Sequence, residues 1–529
     1  MCTCTSLLTL TTMYHIIDED RKYIINPAYT IFPDRHCAFI FNSSGWDTFE
    51  THPDVDENFS QMVSPLFAGI FAYWNGDMTY RETFNTIVDE LHIQPGKLQK
   101  FLQPCFHNPE KMLLCLSDKA DEDNFCRNWI PKNFIIRCDD GEKRSDIPKP
   151  ELFAIPKRNW NFNRMRSRIP VHVTLMLTNK CISECIYCYA DKKHRDYSPL
   201  PTGRWLEIID EAHDFGALSI DLSGGEIFLH PDVETILNNL YRFGYHPYLS
   251  TKIPLDEDKI IKLKEAGMTG LQLSIDCWDS ALMCRMLQVP DSYLKQMGHT
   301  LKLLEKHGIN VKVKSVITRY NDRPEQVKRL IGHLTTHQNI SSISIAPAEY
   351  SLYKGEHGFM DYRTNSKRWE EIEATVADLA EHHMETCEIS CQTPQDKNEY
   401  CFNVEKKASN FNTRTRCTGN INMLYVLPDG QVTICEELYW NPKFIIGDAR
   451  KQSLKKIWES EKAISLYSLS QETFRKSSAC SICPQFDSCH QKSGVCWKMV
   501  IEAYGDEYWD LPDPRCPYAP PATRKCYIE

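Results

Sequence analysis

Between about residue 170 and residue 385, β-rich runs alternate with amphipathic helical patterns, and four of the five helical patterns end in glycine directly before the next run. The runs are "VHVTLMLT", "LSIDLSG", "HPYLSTK", "GLQLSID", "NVKVKSVIT" and "ISSISIAPA". A glycine-stopped helix feeding a strand is the sequence form of βα units built on a parallel sheet. Six units are too few to close an eight-fold barrel. The expected fold class is therefore α/β, with a partial (β/α)6 barrel over 166–385. Chemistry in such folds sits at the C-terminal ends of the strands.

The flanking regions differ. Residues 14–138 open with two β-type runs, Lys22–Phe32 and His36–Asn42, turned by Pro33 and Asp34. Helical spacing follows in Leu66, Ile70, Phe71 and Trp74, with Gly76 as a stop. Thr79 caps a second helix bearing Phe84, Ile87, Val88 and Leu91, and Gln94-Pro95 starts a third. A hairpin with three short helices predicts a winged-helix-like α+β domain. Residues 139–165 are polar and proline-rich and read as a linker. Regular periodicity weakens over 386–529, where cysteines dominate.

The 61 Lys and Arg against 71 Asp and Glu give a net charge of −10, which leaves no electrostatic footprint for duplex nucleic acid. No segment approaches a membrane span. The chain holds 23 cysteines. Met1–Met13 lacks the basic flank and apolar core of a signal peptide, and Met13 would serve as a start as well as Met1. A reducing cytoplasm is thus expected, where clustered cysteines are metal ligands or redox groups more often than disulfides.

Cys181, Cys185 and Cys188 follow the first barrel strand with the spacing C-x3-C-x2-C. Three thiolates from one loop suit three irons of a [4Fe-4S] cluster and leave the fourth open to an exogenous ligand. A zinc site is the alternative.

With Tyr187 before the last cysteine, this motif resembles that of the radical S-adenosylmethionine (SAM) enzymes. Gly224-Gly225-Glu226, after the second strand, is similar to the GGE motif that binds the SAM amino group; taken alone it could equally be a strand-to-helix turn. The resemblance further implies SAM contacts from Ser274 and Asp276, at the end of the fourth strand, and from Arg285, paired with the methionine carboxylate.

Cys417 and Cys435 stand as C-x12-G-x4-C through Gly430; Cys480, Cys483 and Cys489 stand as C-x2-C-x5-C, followed by Cys496 and Cys516. This resembles the SPASM extension, although six residues separate Cys489 from Cys496 where three are usual. The resemblance implies an outer auxiliary cluster on Cys480, Cys483, Cys489 and Cys516. It implies an inner one on Cys417, Cys435 and Cys496, with Cys401 as the first candidate for the fourth ligand, then Cys391 and Cys387, or an open iron. Structural zinc is again the alternative. Glu436, with Glu437, stands where related sulfatase-maturing enzymes place a base, though an exposed acidic pair would look the same.

The N-terminal region resembles the PqqD-like elements that take up a leader peptide by strand addition. Together these resemblances imply a radical SAM peptide maturase carrying three [4Fe-4S] clusters and SAM. Its partners would be a precursor peptide with a leader and an electron donor such as flavodoxin or ferredoxin. Hydrogen abstraction by a 5′-deoxyadenosyl radical would form an intramolecular thioether or a C-C or C-O crosslink, with the inner cluster taking the second electron. The alternatives are epimerisation, with Cys277 or Cys284 as hydrogen donor, sulfatase maturation, and a non-catalytic zinc or cluster-binding adapter.

Overall fold

The computed structural model describes residues 17–42, 55–56, 59–115, 127–138, 143–161, 166–191, 197–383, 386–392, 411, 414 and 417–527. Cys401 lies outside them, as do parts of the linker and the segment around Met13. Residues 17–161 form one compact unit and 166–527 another. Among the described residues no helix is long and apolar enough to cross a membrane.

The first unit is α+β. Its elements are β1 (Lys22–Ile25), β2 (Tyr29–Pro33), β3 (Ala38–Asn42), β4 (Ser60–Val63), α1 (Pro65–Phe71), β5 (Asn75–Thr79), α2 (Tyr80–Leu91), α3 (Pro95–Leu102), β6 (Met112–Cys115), β7 (Arg127–Ile130) and β8 (Ile135–Arg137). The first β run is two strands, because Asn26-Pro27 breaks it: Tyr29 N–H turns back to the Asn26 carbonyl at 2.8 Å. β1 then pairs with β5 and β8, while β2 pairs with β3 and β3 with β4. The core between sheets and helices is largely aromatic, with Trp74, Phe67, Phe71 and Phe134 almost wholly buried. Thr79 forms a full capping box with Glu82, whose carboxylate accepts the Thr79 N–H at 2.9 Å.

The second unit supplies the parallel strands. They are β9 (His172–Thr178), β10 (Ser219–Gly224), β11 (Ser250–Thr251), β12 (Gly270–Ser274), β13 (Asn310–Ile317), β14 (Ile340–Pro347) and β15 (Glu388–Cys391). Between them run α4 (Thr202–Phe215), α5 (Val233–Arg242), α6 (Glu257–Glu265), α7 (Ser280–Leu287), α8 (Tyr293–Lys306), α9 (Pro324–Leu334), α10 (Gly355–Tyr362) and α11 (Ser366–His383). All six expected strands form, and a seventh, β15, joins them. Gly216, at φ 95°, takes the left-handed conformation that ends α4, which an L side chain resists.

The strands make two sheets, β11-β12-β13-β14-β15 and β10-β9-β16-β17-β18, where β16 is Met423–Val426, β17 Gln431–Thr433 and β18 Ile445–Asp448. β16 lies parallel to β9, so the cysteine-rich region shares a sheet with the barrel. One continuous apolar core, from Trp205 and Ile208 to Trp458 and Val500, covers both.

Replacing Thr79 by Ala removes the cap of α2 and should cost about 1 kcal/mol locally. Hydrogen exchange of the first-turn amides of α2 should then lose about fivefold protection.

Candidate active site and cysteine clusters

β9 ends at Thr178 and opens into the loop that carries Cys181, Cys185 and Cys188. Backbone hydrogen bonds fix this loop from two sides: Gly225 N–H to the Thr178 carbonyl at 2.6 Å and Glu226 N–H to the Lys180 carbonyl at 2.8 Å, with Glu184 and Ile186 N–H bonded to the Leu287 and Met286 carbonyls. The glycines are required by that contact. A Cβ on Gly224 would stand 2.3 Å from the Thr178 oxygen, and one on Gly225 would stand 2.3 Å from the Lys180 oxygen. The Ser183 hydroxyl lies 3.3 Å from the sulfurs of both Cys181 and Cys185.

These thiols wall a cavity of about 500 Å³ at the C-terminal ends of the strands. Gly224, Gly225, Glu226, Tyr187 and Ser274 line it too. A larger cavity of about 890 Å³ lies on the other side of the loop and shares only Cys181 among the three thiols. Glu226 is buried, and its carboxylate accepts the Lys252 N–H at 3.1 Å and the Phe228 N–H at 3.3 Å, so it ties β10 to the end of β11. Burial pushes its pKa up.

Tyr187 and Asp276 act together. Asp276 accepts the Tyr187 hydroxyl and the Val316 N–H, and its carboxylate meets Lys252 Nζ at 3.0 Å; Lys252 also donates to the Tyr187 oxygen at 2.6 Å. Asp276 is not among the cavity-lining residues: it supports two that are. Lys252 was missed by sequence reading, although its position at the end of the third strand run marks the cavity end of that strand.

Two expected site residues lie elsewhere. Arg285 is exposed on α7, its guanidinium 4.1 Å from the Tyr320 ring centroid. Cys277 is buried outside the cavity lining, bonded through sulfur to the Asp279 carbonyl, and burial pushes its pKa up to about 12.

Glu436 and Glu437 are not an exposed acidic pair. Both line the cavity. Burial, and then the charge of Glu437, push the Glu436 carboxyl up to about 7, against hydrogen bonds from Ser223 and Tyr189. Glu437 lies 3.4 Å from Lys498 Nζ, which also reaches Glu502 at 3.0 Å and Glu349 at 4.0 Å.

The remaining cysteines gather in two groups. Gly430, at φ 88°, makes the turn of the β16-β17 hairpin, which leaves Cys417 and Cys435 at its open end. Cys435 is pushed up by burial first and then by Glu437, Cys496 and Cys417. Cys480 is pushed up to about 12 by burial, and the thiols of Cys516, Cys489 and Cys483 act on it in the same sense. Cys387 and Cys391 belong to neither group: their charged neighbours are Glu388 and Glu373. Among the described residues there is no disulfide, and no three His, Cys, Asp or Glu are gathered as ligands of a single metal ion. Soft thiol donors in threes and fours, one set facing an open cavity, fit iron–sulfur clusters.

Residues 175–333 match the Radical SAM superfamily, and residues 417–485 match SPASM, an iron-sulfur cluster-binding domain. The fold resembles that of Streptococcus suis SuiB. Its crystal structure bound to S-adenosylmethionine superposes with a TM-score of 0.60 at 14% identity, over 93% of this chain and 99% of that one. SuiB bound to the precursor peptide SuiA gives 0.58 at 15% identity over 93% and 98%, and SuiB alone gives 0.57 at 14% over 93% and 99%. At such identities the likeness is one of fold.

Replacing Asp276 by Asn leaves Lys252 poorly compensated beside the half-buried Tyr187. Breaking a buried pair in this way costs about 3–5 kcal/mol, so the thermal midpoint should fall clearly. An unchanged midpoint would mean that the pair does not brace the cavity floor.

Proposed function

We propose that this chain, which carries a radical SAM domain and a SPASM iron–sulfur domain, is a peptide maturase that removes two hydrogens from a ribosomal precursor to form an intramolecular thioether or a C-C or C-O crosslink. One observation carries the reading: a single cavity joins the three-thiol loop of the barrel to Glu436 and Glu437 of the C-terminal region. Hydrogen abstraction and proton removal would thus share one space.

Cys181, Cys185 and Cys188 would hold the SAM-binding cluster. Gly224, Gly225, Glu226 and Ser274 would contact SAM, with Tyr187 held in place by Lys252 and Asp276. Cys480, Cys483, Cys489 and Cys516 would hold the outer auxiliary cluster, and Cys417, Cys435 and Cys496 the inner one. When bound, these groups supply a 5′-deoxyadenosyl radical and a sink for the second electron. The chain's own contribution is to position the peptide and to accept the proton that leaves as the new bond closes. Glu436 is the candidate base, since it faces the cavity and is held by Ser223 and Tyr189.

Residues 14–138 of the first unit would bind the leader by strand addition; of the proposed linker 139–165, Ile147 and Phe153 pack into the core of that same unit. SuiB, similar in fold over nearly its whole length, is known bound to its precursor peptide SuiA, and this supports a peptide substrate. A low-potential donor such as flavodoxin or ferredoxin would supply the first electron. Epimerisation finds less support, because it needs a hydrogen-donating thiol in the cavity, and Cys277, buried, and Cys284, bonded to Asp291, both lie outside its lining.

Anaerobically purified protein should contain about twelve irons, and a Cys181→Ala/Cys185→Ala/Cys188→Ala variant roughly four fewer. Only the former should release 5′-deoxyadenosine with dithionite. Zinc in place of iron, or equal release from both proteins, would sink the proposal. Glu436→Gln should keep deoxyadenosine release while crosslinked peptide, followed by mass spectrometry, falls by about 100-fold or more.

A further inference from the structure

A guanidinium stands against the outer cysteine group, and among the described residues no carboxylate pairs with it. Arg414 Nη2 lies 3.4 Å from the Cys489 sulfur and 3.2 Å from the Gly494 carbonyl oxygen, and Nη1 donates to the Phe411 carbonyl at 2.6 Å. The Phe411 ring covers one face at 3.8 Å. These hydrogen bonds go to two carbonyls and one sulfur. Nε is buried and has no hydrogen-bond partner among the described residues.

Among the described residues, the other arginines near the outer cysteines are already committed: Arg515 to Asp513 at 2.8 Å and Arg475 to Asp510 at 2.7 Å. Both carboxylates are spent on those pairs. A half-buried cation with an orphaned donor needs an anion. Four thiolates around an iron–sulfur core would be that anion.

We infer that Arg414 is a positioning residue for the outer auxiliary cluster, donating to the Cys489 sulfur and holding the cluster's reduction potential above the value its four thiolates alone would give. This rests on reading Cys480, Cys483, Cys489 and Cys516 as its ligands. Hydrogen bonds to sulfur and nearby positive charge both favour the reduced cluster, which carries one more negative charge. Because Arg414 lies against the outer group, the SAM cluster should be unaffected.

The test is a potentiometric titration, read by electron paramagnetic resonance, of full-length wild type, Arg414→Lys and Arg414→Gln, with iron and sulfide measured on each. The inference expects unchanged iron, one auxiliary midpoint shifted to lower potential in Arg414→Gln, and a smaller shift in Arg414→Lys, which keeps the charge and loses the fork. Unchanged midpoints at full iron content would overturn it. So would a shift shared by the SAM cluster, or loss of the same iron from both variants, which would make Arg414 merely structural. A wild type with no auxiliary signals would instead defeat the three-cluster reading.

Discussion

The site depends on the pairing of β9 with neighbours on both sides. β9 delivers the three-cysteine loop; β10, parallel to it, delivers the glycines that brace the loop; β16, parallel on its other edge, brings in the cysteine-rich region. Because β16 leads into the β16-β17 hairpin, and Glu436 follows that hairpin, the carboxyl reaches Ser223 of β10 and Tyr189 of the loop. Without the β9-β16 pairing the Glu436 carboxyl would belong to a separate domain. With it, the three-cysteine loop and Glu436 are carried by one sheet.

Local signals in the sequence were strong where they reflect backbone chemistry. The glycine stops of the second unit's helices, the Thr79 cap and the turn at Asp34 appear where steric and hydrogen-bonding rules put them. The first helix instead ends at Phe71, and its expected stop, Gly76, lies in β5. Long-range pairing was not legible. Nothing in the hydrophobic period of Met423–Val426 tells whether that strand pairs within its own region or with a strand some 250 positions earlier, and Asn26-Pro27 was passed over as a break.

Site residues divide in the same way. The cysteines are placed by spacing within loops, which sequence preserves. Arg285 was judged from its distance along the chain, but α7 buries Met283, Met286 and Leu287, and that face turns the intervening arginine outward. Lys252 gave no motif, since its partners Asp276 and Tyr187 meet it only when three strand ends converge. The glycines of the GGE segment were expected to admit a ligand, and their tightest contacts are with the backbone of the cysteine loop. They line the cavity as well, so one pair of residues both seats the loop and opens space beside it.

The interior of the barrel explains why a cavity persists there. Closed barrels fill with layers of branched apolar side chains. Here Val311, Val313 and Ile317 of β13 and Ile343 and Ile345 of β14 are buried, while Lys312, Lys314, Ser342 and Ser344 occupy the alternate, less buried positions. Ser274 and Gln272 bond to each other, and Tyr248 bonds to Gln272. Partial desolvation by the groups around it, and then the charge of Lys312, pull the exposed Lys314 below its ordinary pKa. Packing such side chains into a dry core would strand their polar atoms at a cost of several kcal/mol, whereas an open interior leaves them to water. Of this set Ser274 and Lys314 reach the cavity wall, beside Ser250, Thr251 and Lys252, and a space so lined stays open to water.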